Sequence, residues 1–146
     1  MSTPADLLSR EARSLTQRLR LWTPARFAAT ADDGRGTRAD LVHHLAQSLA
    51  DRTAAVQGRP RRRLPRLDSD LGLADQLAVT ADDLVRAGPP DALAVAATAH
   101  LLLHRSHLLQ DDVPAGLAAS LGLHDVLAAG AQECERDESG IEPLYV

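Results

Sequence analysis

Leu8, Leu15, Leu19 and Trp22 recur at helical spacing behind Thr3, Pro4 and Asp6, which read as an N-cap, a proline at the first helical position and a capping carboxylate. This predicts a first helix reaching about Trp22, where Thr23-Pro24 should kink or restart it. Asp32-Asp33-Gly34-Arg35-Gly36 is a turn, after which Thr37 and Asp40 repeat the capping pattern. They open a second helix to about Val56, with Leu41, His44, Leu45, Ser48 and Leu49 on one side. A third helix is predicted from Leu71 to Ala87, its apolar face made by Leu73, Leu77, Leu84 and Val85, and Gly88-Pro89-Pro90 ends it. The fourth, Asp91 to Leu109, carries the stripe Leu93, Ala97, His100, Leu101, His104 and Leu108. Between the second and third, GRPRRRLPRLDSD (Gly58–Asp70) holds prolines that exclude regular helix, so it reads as a loop crossing between helix pairs. After Pro114 come two shorter helical pieces, Ala115–Leu121 and Asp125–Cys134, separated by Gly122, and the end of the chain is acidic and loose. The expected fold is therefore all-α: a four-helix bundle with one long crossover and a short C-terminal helical addition over residues 1–134, followed by a tail at 135–146.

Composition narrows the picture. At 146 residues the chain fits one domain with a usable core. Aromatics are confined to Trp22, Phe27 and Tyr145 while alanine and leucine dominate, which favours close-packed helices over a sheet. All 16 basic residues are arginine, a bias that fits a GC-rich genome better than a function. The formal charge of −4 gives nucleic acid and anionic membranes no global attraction. Cys134 is the sole cysteine, the start MSTPADLL lacks the apolar run of a signal peptide, and no stretch of about 20 apolar residues occurs. A soluble cytoplasmic protein is expected.

The histidines change the expectation from a plain bundle to a metal site. His100 and His104 are one turn apart, so their rings share a helix face about 5–6 Å apart and can close on a single ion. A third ring, His44, comes from a facing helix. Taken singly, a histidine on an apolar stripe is more often a hydrogen-bonded core residue than a ligand, and His-x-x-x-His spacing also arises by chance. His43 points about 100° away from His44 around its helix and is left out. Asp40 has two readings: an orienter of the His44 ring, or simply the acidic half of a capping box with Thr37, which explains the spacing fully. His107 shares the face of His104, with the roles of fourth ligand, proton carrier and rim residue all open to it. His124 begins a short segment without a partner and reads as surface.

Two segments add a resemblance. Gly36-Thr37-Arg38-Ala39-Asp40-Leu41-Val42-His43-His44-Leu45-Ala46 resembles the "gWTvrDLvaHLa" stretch of the DinB-like superfamily, in particular its mycothiol-dependent maleylpyruvate isomerase branch from actinobacteria. Ala94 to Leu108 is similar to the second signature of that family, in which a Glu or His precedes the last ligand histidine by four residues and "gwDl" follows. The resemblance implies a DinB-like bundle and metal ligands at His44, His100 and His104. The chain departs from the pattern at Gly36, where the family has tryptophan, and at His107, where it has aspartate. The further C-terminal domain often appended in the isomerases is not expected within these 146 residues. Ligation is thus better supported than the isomerase reaction.

Three neutral imidazoles leave the charge of a divalent ion uncompensated, so a bound water or thiol loses its proton readily. The thiolate is the reactive form of sulfur. The natural chemistry is delivery of a thiolate to an electrophile, and the resemblance implies a thiol S-transferase or thiol-dependent isomerase with mycothiol as co-substrate. Zinc suits three histidines plus one exchangeable ligand, with nickel and iron as alternatives. His107, placed at the cavity mouth, is assigned the catalytic role of relaying the thiol proton. The expected partners are a small-molecule thiol and an electrophile, with no nucleic acid and no membrane; a homodimer is left open. Two rivals stand beside this reading. One is a non-enzymatic metal-binding bundle serving as a binding or regulatory partner; the other is a metal-dependent hydrolase. The arginines at 59, 61, 62, 63 and 66 read first as a solvated loop. Their functional alternative is to hold a carboxylate of the thiol or substrate at the cavity mouth.

Overall fold

The computed structural model describes residues 2–31 and 34–109. They form five α-helices: α1 (Pro4–Leu19), α2 (Pro24–Ala28), α3 (Arg38–Gln57), α4 (Leu73–Arg86) and α5 (Asp91–Leu109). The architecture is an all-α bundle of four long helices with α2 as a short extra. The segments predicted at Ala115–Leu121 and Asp125–Cys134, and the tail, lie outside the described residues, as does His124.

Both predicted capping boxes form. Thr3 and Asp6 exchange side-chain to main-chain hydrogen bonds at the start of α1, and Thr37 and Asp40 do the same at α3. Two boundaries differ from expectation. α1 stops at Leu19, three residues before Trp22, because the chain must turn for Trp22 to fold inward. There it meets the fully buried Phe27 of α2 edge-on, with ring centroids 5.1 Å apart, while the guanidiniums of Arg26 and Arg38 lie 4.7 and 5.7 Å from its ring. Thr23-Pro24 accordingly restarts the helix, as Thr23 caps α2 through the Arg26 amide. The third predicted helix also begins later. Asp70–Gly72 is a single 3-10 turn capped by Ser69, and regular helix starts at Leu73.

The packed pairs are α3/α4, α1/α4, α1/α5 and α3/α5, so the four long helices close a ring with α1 opposite α3. Arg66 binds both Asp40 (3.0 Å) and Asp70 (3.6 Å), which places the starts of α3 and α4 side by side and makes these neighbours parallel. Segment 58–69 must therefore travel back along the length of α3, which is the predicted crossover. Its main chain is held rather than loose. Gln47 of α3, only 9% exposed, donates to the Arg62 carbonyl (2.9 Å) and accepts from the Leu64 amide (2.7 Å). Gln76 of α4 donates to the Pro65 carbonyl at 3.0 Å, and Leu64 packs against the core.

The core is leucine and alanine from every long helix, including Leu8, Leu15, Leu45, Leu49, Leu77, Leu84 and Leu101. No helix among the described residues is long and apolar enough to cross a membrane.

Candidate metal centre

α3 and α5 carry the histidines, and their mutual direction brings them together. His44 pairs with His104 while Ser48 pairs with His100, so the two helices run antiparallel at this seam. The ring centroids lie 4.3 Å apart for His100 and His104, 5.5 Å for His44 and His104, and 6.2 Å for His44 and His100. One potential ligand atom from each of the three residues lies within 4.8 Å of the others. Tetrahedral zinc with bonds of about 2.0–2.1 Å requires nitrogens roughly 3.3 Å apart. Ring rotations that move each donor by about an ångström cover the difference. The three predicted ligands thus form a group that can hold a metal ion.

Burial sharpens the argument. His100 and His104 are each 2% exposed, and His44 is half-buried. Burial pushes the His100 ring down to a pKa of about 2, reinforced by His104, Arg52 and His44, which oppose a further positive charge. The ring is therefore neutral, the state in which an imidazole is a ligand.

Hydrogen bonds orient two of the rings. Nδ1 of His104 lies 2.9 Å from the His100 carbonyl oxygen. A carbonyl only accepts, so Nδ1 carries the proton and Nε2 keeps its lone pair for an ion. Nδ1 of His100 lies 2.9 Å from Ser48 Oγ. When that nitrogen donates to the hydroxyl, Nε2 of His100 is likewise the ligating atom. Ser48 lies on the same helix stripe as His44, and the spacing alone gives it no role. The signal was there: a polar residue one turn after His44 on an otherwise apolar face.

Other candidates find different places. Asp40 does not orient His44, because Oδ2 accepts from the Thr37 amide and Oδ1 from Arg66. The capping reading is the correct one. The hydrogen bond from the Thr37 main chain holds the Asp40 carboxyl below its usual range against a partial desolvation penalty, with the Thr37 side chain and Arg66 assisting. Gly36, where the resembled family has tryptophan, has φ +145°, and a Cβ there would come 2.8 Å from Asp40 Oδ2. This entry to α3 needs glycine, so the departure follows from the local turn. His43 is not a member of the group among the described residues. His107 is half-buried and lies outside the three-residue group among the described residues. Of the loop arginines, Arg66 is tied to Asp40 and Asp70, while Arg59 and Arg62 line a groove between α3 and α4.

No family model, curated protein or solved structure matches the chain. The metal-centre assignment rests on the geometry of these residues.

Proposed function

We propose that the chain is a metal-dependent S-transferase or thiol-dependent isomerase for a low-molecular-weight thiol, with His44, His100 and His104 holding zinc. The observation that carries this reading is the convergence of three imidazole donors, two of them buried, without a carboxylate in the group. A divalent ion on three neutral ligands supplies Lewis acidity that favours the thiolate over the thiol. The buried rings of His100 and His104 hold their donors in place and keep water from that side of the site. Ser48 and the His100 carbonyl fix which nitrogen of each α5 ring faces inward. His107 is assigned the proton relay: it lies three residues beyond His104 on the same stripe and is less buried than His100 and His104. The likeness of the two histidine segments to the DinB-like superfamily supports mycothiol as the thiol and an actinobacterial cytoplasm as the setting.

Elemental analysis of the purified protein and a conjugation assay with mycothiol and an electrophile test this reading. The expected result is about one zinc per chain and thiol-dependent turnover lost in His104→Ala. Stoichiometric metal with no thiol response, including an unchanged cobalt-substituted spectrum at saturating thiol, would favour the structural bundle or the hydrolase.

A further inference from the structure

A second feature lies along α3 and α4 and does not depend on what the histidines hold. The end of α3, the α4 helix and the crossover segment enclose a groove of about 650 Å³. Its lining includes the apolar Ala50, Ala54, Leu64, Leu67 and Val79, with Arg59 and Arg62 from the crossover and, on the α4 side, the carboxylates of Asp83 and of Asp75, the latter paired with Arg20. Val79 is 58% exposed and Leu67 38%, so both present apolar surface at the groove. Arg59, Arg61, Arg62 and Arg63 are exposed and make no ion pair or hydrogen bond through their side chains with described residues. Four like charges this close repel one another, yet Gln47 and Gln76 hold their main chain in place. A pinned, unneutralised cationic strap beside an apolar trough fits an anionic segment with apolar residues.

We propose that residues 133–146 of the same chain, ECERDESGIEPLYV, occupy this groove. Glu133, Glu135, Asp137, Glu138 and Glu142 complement the strap arginines, and Ile141, Leu144 and Tyr145 cover the apolar lining. Reach is sufficient. Because α5 runs antiparallel to α3, Leu109 sits near the start of α3, about one helix length from the groove beside its end. α3 has 20 residues, or roughly 30 Å. Residues 110–132 span about 35 Å even if wound entirely as helix, and more if extended. Covalent linkage supplies a high effective concentration, so individually weak contacts suffice.

Cys134, the sole cysteine, lies within the acidic segment and accepts a nitroxide spin label in the full-length protein. The expected result is that amide signals of residues 59–67 and of Val79 lose most of their intensity and regain it when the nitroxide is reduced. The triple variant Arg59→Glu, Arg62→Glu, Arg63→Glu should abolish the effect, as should high salt, while amide signals of α1 and α5 report that the fold is intact. Broadening confined to other faces of the bundle would overturn the proposal, as would broadening of the groove that survives both charge reversal and salt. Mixing spin-labelled chain with isotope-labelled, unlabelled-cysteine chain separates the other occupant: groove broadening that arises only between molecules would make the ligand a second copy and refute docking within the chain.

Discussion

The two seams of α3 bury polar side chains for opposite reasons. Toward α4 and the crossover, Gln47 is nearly buried, and its amide group is spent on Asp51, the Arg62 carbonyl and the Leu64 amide. Toward α5, His100 and His104 are more deeply buried, and each uses Nδ1 on a protein partner while the ligand atoms of the group converge within 4.8 Å. A buried polar group must be satisfied. Gln47 meets this requirement within the chain and so fixes a loop; the histidine group is arranged so that a metal ion can meet it. What separates Gln47 from the histidine group here is whether its polar atoms find their partners within the chain, not how deeply they are buried.

The largest effect should come from the histidine seam. His100→Ala combined with His104→Ala should abolish stoichiometric metal binding, whereas His43→Ala should retain it, as read by elemental analysis after dialysis. Metal retained by the double variant would make the two seams alike and remove the metal site.

Within the same seam, His107→Ala should keep the metal but lower thiol-dependent turnover, on the order of a hundredfold if it is the proton relay. The pH profile should shift with it. Metal loss equal to that in His104→Ala would instead make His107 a ligand.

On the other seam, Gln47→Leu leaves the Arg62 carbonyl and the Leu64 amide without their side-chain partners. The expected cost is about 1–3 kcal/mol in urea unfolding, with faster proteolysis between residues 58 and 69 and unchanged metal content. A variant that lost metal while keeping a protected crossover would show that the seams are coupled.

The smallest effect belongs to the entry of α3. Thr37→Ala should cost about 1 kcal/mol without loss of metal. Asp40→Asn should also destabilise the protein, in a pH-dependent way. The folded-state pKa of Asp40 is lowered, so its contribution is present above the ordinary carboxylate pKa and disappears as pH falls through the folded value. Acid titration of both proteins should therefore bring their stabilities together at low pH. A gap that stays constant with pH would mean that the carboxylate charge contributes nothing.

Local chemistry made much of this legible in the chain. The capping boxes at Thr3 and Thr37 and the start of α5 at Asp91, just after Pro89-Pro90, depend on residues a few positions apart, and they appear where the spacing puts them. The same holds for His100 and His104, because helical periodicity alone sets two residues one turn apart on one face. Other features depend on partners distant in sequence. Asp40 stands four residues before His44, but its second oxygen is engaged by Arg66, 26 residues on. Trp22 leaves the helix that its spacing extends because a buried ring, Phe27, gives it a better place.

Local propensity and a fixed 3.6-residue period place the four long helices, the two capping boxes and the spacing of His100 and His104 in the chain, but not the early end of α1 or the late start of α4. That α3 and α4 run parallel, that Gln47 anchors the crossover, and that Ser48 meets His100 across 52 residues is visible only in the folded chain. Such pairings are chosen by the burial of whole helix faces and by the requirement that every buried polar atom find a partner, and no local spacing encodes either.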